Sequence, residues 1–127
     1  MEKQIINTTG APAPIGPYNQ AVRTGDLLFV SGQIPLDAVS GELVQSGIQD
    51  ETEKVMQNLA AILKEAGMDF SNVVKSSIFL TDMHQFAQVN EVYARYFPED
   101  APARECVQVA ALPKFVNVEI SVIAAAK

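Results

Sequence analysis

The chain has 127 residues, of which 48% are hydrophobic and 19% are charged, and its formal net charge at pH 7 is −6. This length and composition predict one globular domain, residues 1–127, that needs no metal or disulfide to fold, and they argue against a disordered chain. The acidic balance and the lack of a basic cluster argue against a nucleic-acid partner, because Lys and Arg supply most of the affinity for a phosphate backbone.

The first third of the chain is predicted to form strands and loops. Residues 3–6 are compatible with a short strand, and residues 10–18 (GAPAPIGPY) are predicted to form a loop because they contain three prolines and two glycines. Residues 21–35 (AVRTGDLLFVSGQIP) predict a hairpin around a Thr-Gly-Asp turn, and residues 40–43 (SGEL) predict a further turn.

The clearest predicted element is a helix between Asp50 and Gly67. We expect Asp50 to cap it, with Glu53 three residues later, and Gly67 to end it. The apolar residues that recur at helical spacing in this segment are Val55, Met56, Leu59, Ile62, Leu63 and Ala66. This pattern predicts one apolar helix face against a core.

The remaining elements alternate between strand and helix. Residues 72–80 predict a strand, and a second helix is predicted to start at its cap, Asp82, and to end near Pro98. Two further strands are predicted at about residues 104–110 and 116–124. The order predicts an α+β domain with a mixed, mostly antiparallel sheet of about six strands and two helices on one face.

Strand alternation predicts that the other face of this sheet is chemically mixed. It would carry Phe79 and Ile123 beside Lys75, Glu119 and Arg104. A monomer gains little by exposing the apolar members of such a face. We therefore expect other subunits to cover it.

Two charged residues in these strands are candidates for chemistry. Arg104 presents a planar fork of donors that can bind a carboxylate through two hydrogen bonds, or it can form a structural ion pair or point into water. Glu119 could have its pKa raised by burial and handle a proton or a water, or it could be a structural carboxylate. Residue type alone leaves both interpretations open.

The sequence indicates less strongly that other residues with reactive or polar side chains belong to a site. Cys106, the only cysteine, could be a nucleophile, but a small buried side chain is the simpler interpretation, since nothing obvious activates it. His84, the only histidine, is expected at the protein surface, and one His with one Cys argues against a zinc site. Tyr18 follows the Pro/Gly loop and could cover a ligand or simply pack. A single cysteine and the lack of a long apolar run predict a cytoplasmic protein that does not enter a membrane.

Taken together, several segments resemble the RidA family, also called the YjgF or reactive-intermediate deaminase family. They are APIGPYNQAV, VSGQIPLD, DMHQFAQVNEVYARYFP and PARECVQVAALPKFVNVEI, and the resemblance covers roughly residues 3–126. It implies an α+β domain that assembles as a homotrimer with ligand sites in clefts between subunits. The implied activity is hydrolysis of 2-imino acids, such as 2-iminobutanoate and 2-iminopropanoate, and their enamine tautomers to 2-oxo acids and ammonia, with no metal or organic cofactor.

The resemblance also assigns roles to individual residues. Arg104, in Pro-Ala-Arg, would bind the substrate carboxylate, and Glu119, in Val-Glu-Ile, would position or activate water. The other residues that it places at the ligand are Cys106 (through its backbone), Tyr18, Gly32 and Asn90. One position departs from the family pattern: the residue after the arginine is usually small, and here it is Glu105. Alternation should turn Glu105 away from the site, although a nearby carboxylate could weaken binding of an anionic substrate.

Three alternatives stay open at this point. The same cleft could bind 2-oxo acids in a regulatory protein without useful turnover. The chain could be a translation inhibitor or ribonuclease, as relatives have been described, although its charge argues against this. As an enzyme it could also act on another enamine, such as an aminoacrylate.

Overall fold

Six strands and two α-helices build the part of the chain that the computed structural model describes, residues 2–127. In chain order they are β1 (Gln4–Ile6), β2 (Ala21–Thr24), β3 (Leu27–Gln33), α1 (Ile48–Glu65), β4 (Val73–Leu80), α2 (Phe86–Ala94), β5 (Ala103–Gln108) and β6 (Val118–Ala125). The strands form one sheet in the order β1-β2-β3-β6-β4-β5, in which only β4 and β5 are parallel. The predicted α+β domain with a mixed, mostly antiparallel sheet is confirmed.

Both helices pack on one face of the sheet, which we call the covered face. The side chains that form this core include Leu28, Val55, Met56, Leu59, Ile62, Leu63, Ile78, Leu80, Val89, Tyr93, Val118, Ile120 and Val122. They follow helical spacing in α1 and alternate positions in the strands, as the sequence pattern predicted. In residues 2–127, no helix is long and apolar enough to cross a membrane.

The opposite face, which we call the open face, has no helix over it. Its side chains include Val22, Phe29, Lys75, Ser77, Phe79, Glu105, Val107, Glu119, Ser121 and Ile123, as the strand registers and burial pattern require. Phe29 and Val107 are each 42% exposed in the single chain. Apolar side chains left exposed together in this way are typical of a surface that another protein covers.

The start of α1 differs from the prediction. The helix begins at Ile48, after Gly47 with a φ of 127°, and no side chain caps it. Asp50 therefore lies inside the first turn, where its carboxylate accepts a hydrogen bond from Ser46 Oγ at 2.8 Å. The prediction of Asp50 as the N-cap is wrong, because Gly47 adopts a backbone conformation that lets the chain turn into the helix earlier.

The second helix also begins away from its predicted cap. The Asp82 carboxylate accepts from the backbone N–H of His84, but the turn that it caps is a short 3₁₀ helix at Met83–Gln85. α2 itself starts at Phe86 and ends at Ala94, four residues before Pro98. The capping interaction was therefore correctly assigned to Asp82, while the α-helix is shorter than predicted at both ends.

The prediction that Arg104 lies on the open face is wrong. In the parallel register of β4 and β5, Arg104 pairs with Ser76 and Cys106 with Ile78. Ser76 and Ile78 are buried under the helices, so Arg104 also faces that side. Glu105 instead occupies the open face, where it forms an ion pair with Lys75 and accepts a hydrogen bond from Ser77. Alternation showed which residues of β5 share a side, but pairing with β4 decides which side is covered.

Candidate active site

Arg104 is a fixed cation supported only by uncharged groups. Its Nη1 donates a hydrogen bond to Asn90 Oδ1 at 2.8 Å. Its guanidinium carbon lies 5.0 Å from the ring centroid of Tyr93 and 5.5 Å from that of Phe86. Within residues 2–127, no carboxylate forms an ion pair with it. The charge is therefore positioned but not neutralised, which suits it to bind an anionic ligand.

α2 supplies these supports from one side. Phe86, Asn90 and Tyr93 lie at positions i, i+4 and i+7, which share one helix face. Tyr93 is buried and donates its hydroxyl to Ser76 Oγ at 2.9 Å. The sequence interpretation treated Phe86 and Tyr93 only as core residues. The signal that could have found their contact with Arg104 is the polar Asn90 within their apolar stripe.

Cys106 lies on the same side of β5 as Arg104 and packs against the core. Burial raises the pKa of its thiol, while the nearby Arg104 charge acts in the opposite direction. His84 cannot serve as an activating base from its place near the start of α2, since its side chain is exposed and paired with Asp82 at 2.9 Å. The thiol is therefore mostly protonated at neutral pH and is a poor nucleophile.

Glu119 projects from β6 on the open face, beside Gly32 of β3 and Tyr18. A cavity of about 360 Å³ lies here, lined by Ile15, Tyr18, Ser31, Gly32, Ile34, Pro113 and Glu119. A Cβ atom at Gly32 would lie 2.8 Å from Cδ and Oε2 of Glu119. Glycine is thus the residue that lets the carboxylate occupy this position. The Tyr18 hydroxyl accepts the Ile15 N–H at 3.3 Å.

The Glu119 carboxylate is partly buried and has no donor bonded to it among residues 2–127. Burial raises its pKa, because the charged form loses hydration and gains no local partner. A carboxylate with a raised pKa in a cavity is a stronger proton acceptor than a solvated glutamate. It is therefore suited to orient a water and take a proton from it.

The six residues that the family resemblance assigns thus fall into two groups within one chain. Arg104, Asn90 and Cys106 form what we call the arginine half-site, on the covered face at the edge strand β5. The glutamate half-site consists of Tyr18, Gly32 and Glu119 on the open face. β4 lies between β5 and β6, and the two half-sites are on opposite faces of the sheet. A single chain does not bring Arg104 and Glu119 together.

No group of three or more His, Cys, Asp or Glu side chains within residues 2–127 lies close enough to hold a metal ion. The polar side chains of the arginine half-site offer a cation and an amide, and those of the glutamate half-site offer a hydroxyl and one carboxylate. The chemistry available to these side chains is therefore anion binding and proton transfer.

Comparison with known proteins finds matches that span almost the whole chain. The family model described as Endoribonuclease L-PSP (Ribonuc_L-PSP) matches residues 8–126. A Mus musculus protein named 2-iminobutanoate/2-iminopropanoate deaminase is 50% identical over 122 residues, covering 96% of this chain and 90% of the mouse protein. The crystal structure of E. coli TdcF with bound serine has a TM-score of 0.93 and 42% identity, covering 98% of this chain and 99% of TdcF.

Proposed function

Because the chain belongs to the Ribonuc_L-PSP (YjgF/RidA) family, we propose that it is a deaminase that hydrolyses 2-imino acids and their enamine tautomers to 2-oxo acids and ammonia. Relatives from mouse, cattle and human, which are 46–50% identical to this chain, are named 2-iminobutanoate/2-iminopropanoate deaminase. The observation that carries the proposal is the arginine half-site. It holds a guanidinium on uncharged supports, as recognition of a small carboxylate requires.

The reaction needs little beyond orientation and proton transfer. Arg104 binds the carboxylate of the imino acid and so fixes the position of the imine carbon. Glu119 orients a water and accepts one of its protons as the oxygen attacks the carbon of the protonated imine, which gives a tetrahedral amino alcohol. Glu119 returns this proton to nitrogen, and the C–N bond breaks to release ammonia while the hydroxyl proton passes to Glu119, which leaves the C=O bond of the 2-oxo acid. No bond to the protein forms at any step, which agrees with the unactivated thiol of Cys106.

A homotrimer with shared sites is the second part of the proposal. The arginine half-site lies at the sheet edge and the glutamate half-site lies on the open face, so they meet only if one subunit places its edge over the open face of the next. Such a head-to-tail contact closes into a ring of three subunits when each is rotated by a third of a turn from the last, and it would also bury the exposed Phe29 and Val107. Each cleft would then take Arg104 from one subunit and Glu119 from its neighbour.

Mixing two variants that are each impaired at a different half-site tests this arrangement. Arg104→Lys subunits keep Glu119, and Glu119→Gln subunits keep Arg104, so every mixed trimer contains one interface that joins an intact Arg104 to an intact Glu119. Random exchange at equal amounts is expected to restore about a quarter of wild-type activity. The measurement is ammonia release after subunit exchange, with native mass spectrometry to count mixed trimers. Each variant exchanged with itself is the control, and mixed trimers without any gain in activity would contradict shared sites.

Gly32→Ala is expected to displace the Glu119 carboxylate. The added methyl would lie 2.8 Å from Cδ and Oε2, and the flexible end of the glutamate can move away without unfolding the sheet. Because a displaced base no longer meets the water, we expect kcat to fall about ten- to a hundredfold. Thermal unfolding should change little. Wild-type kcat in Gly32→Ala would show that the position of Glu119 does not limit the reaction.

Cys106→Ser is expected to keep most of the activity. The side chain is partly buried and burial raises the pKa of its thiol, so it is poorly suited to nucleophilic attack. Steady-state kinetics and the mass of the assembly, compared with wild type, check this. A folded assembly that loses all turnover would assign the sulfur a chemical role.

The decisive test of the function is ammonia release from 2-iminobutanoate that an amino-acid oxidase generates in situ, with and without this protein. Faster release supports the deaminase. Binding of 2-oxobutanoate without faster release would favour the regulatory alternative. Cleavage of RNA by the purified protein would favour the ribonuclease named in the family description. The cytoplasmic location stays a prediction.

A further inference from the structure

The arginine half-site contains an aromatic residue that the family resemblance does not assign to the ligand. The Tyr93 ring centroid lies 5.0 Å from the guanidinium carbon of Arg104, closer than that of Phe86 at 5.5 Å. Both distances are within the range at which a cation is attracted to the face of a ring. Tyr93 is 5% exposed, so water does not compete strongly for this contact.

The orientation of this ring is itself fixed. The Tyr93 hydroxyl donates to Ser76 Oγ at 2.9 Å, and Ser76 is fully buried. Ser76 is also the register partner of Arg104 in the parallel pair of β4 and β5. Ser76, which is paired with Arg104 across the two strands, therefore holds the ring that contacts the guanidinium. Phe97 packs on the same ring, with the two ring centroids 4.7 Å apart.

We propose that Tyr93 is a positioning residue: its ring, oriented by Ser76, holds the Arg104 guanidinium in place for the substrate carboxylate without neutralising it. A glutamate in this place would hold the guanidinium equally well but would compete with the substrate for it. Asn90 accepts one guanidinium N–H, which leaves four of the five donors for the ligand. The inference rests on the proposed function in one respect, since it takes Arg104 as the group that binds the carboxylate.

The test compares three variants by calorimetric titration with 2-oxobutanoate. Tyr93→Leu removes the ring, and we expect the Kd to rise about two- to thirtyfold, because a cation–π contact contributes this much affinity between exposed and desolvated sites. Tyr93→Phe keeps the ring and its packing on Phe97 but loses the hydrogen bond to Ser76, so its Kd should rise less than that of Tyr93→Leu. Tyr96→Leu is the matched control, because Tyr96 packs on Phe70 at 5.0 Å and does not contact Arg104.

The number of 2-oxobutanoate equivalents bound distinguishes a positioning role of Tyr93 from a general structural role. At a temperature where thermal unfolding shows each variant to be fully folded, only an irreversibly misfolded fraction fails to bind, so it lowers the number of ligand equivalents at an unchanged Kd and lowers kcat in proportion. Loss of positioning keeps the full stoichiometry, weakens the Kd and raises the KM for 2-iminobutanoate. An unchanged Kd in Tyr93→Leu, or an equal loss in Tyr93→Phe, would overturn the proposal.

A variant that does not fold and a wild-type protein that does not bind each have a defined consequence. If Tyr93→Leu does not fold, Tyr93→Met, which replaces the ring by a long flexible side chain, is titrated in the same way; a weaker Kd supports the ring contact to Arg104, and an unchanged Kd overturns the proposal. Wild-type protein that fails to bind 2-oxobutanoate would contradict carboxylate recognition by Arg104, and with it the proposed function. Wild-type binding with unaffected ring variants would contradict only the role of Tyr93.

Discussion

Arg104→Lys is expected to lower kcat/KM for 2-iminobutanoate about ten- to a hundredfold, although the charge is kept. The guanidinium donates to Asn90 Oδ1 and lies near two rings at the same time, which leaves its other N–H groups to bind a ligand. A lysine ammonium is a single point of charge on a flexible stem and cannot make these contacts together. Affinity for 2-oxobutanoate should fall by a similar factor, because the carboxylate contact exists before and after the reaction.

Calorimetry with 2-oxobutanoate and the ammonia assay together check this expectation. Arg23→Lys is the matched control, since Arg23 also uses its guanidinium in hydrogen bonds, to the carbonyl oxygens of Gly25 and Ala66 away from either half-site. That control should retain both affinity and turnover. Wild-type affinity in Arg104→Lys would return Arg104 to the interpretation of a structural cation.

Glu119→Gln is expected to lower kcat about a hundred- to ten-thousandfold, the usual contribution of a positioned acid or base. Glutamine has the same size and fits beside Gly32, but it cannot take a proton from water. Affinity for 2-oxobutanoate should stay near that of wild type or improve slightly, because a negative charge leaves the cleft. The two variants thus fail differently: Arg104→Lys loses binding and turnover, whereas Glu119→Gln loses mainly turnover.

The pH dependence of kcat gives an independent check on Glu119. Its carboxyl must be ionised to accept a proton, and burial raises its pKa. Wild-type kcat should therefore fall as the pH drops through this raised pKa, and the fall should begin at a higher pH than the titration of a solvated glutamate. Glu119→Gln should not show this loss of kcat at acid pH. Glu105→Gln is the control, because the exposed Glu105 is paired with Lys75 and its pKa is lowered. Normal kcat in Glu119→Gln would leave Glu119 a structural carboxylate.

The sequence alone determined the fold class of this protein, because the signals involved are local. Alternation in residues 116–124 identified the buried side of β6, on which Val118, Ile120 and Val122 now lie. The apolar spacing of α1 marked its buried face, and the Thr-Gly-Asp turn marked the hairpin, in which Gly25 has a φ of 57°. Each of these patterns depends on neighbours along the chain, so each can be interpreted without knowledge of the rest of the molecule.

The sequence predicted the candidate site only as a set of residue types. Arg104 and Glu119 stood out because charged residues are costly within core strands. The resemblance to a family assigned their roles, and it placed Asn90 near the ligand before its contact with Arg104 was known. The roles of Phe86 and Tyr93 were hidden, because an aromatic residue that supports a cation and one that fills a core have the same spacing along a helix.

Tertiary structure decided everything that depends on pairing between distant segments. The face on which Arg104 lies follows from the register of β5 against β4, since alternation specifies sides relative to each other but not relative to the helices. The close approach of Gly32 to Glu119 depends on the pairing of β3 with β6, which are about 90 residues apart in sequence. The division of the site into two half-sites follows from the same registers. Strand pairing is a long-range property, and local sequence patterns carry no record of which partner a strand will choose.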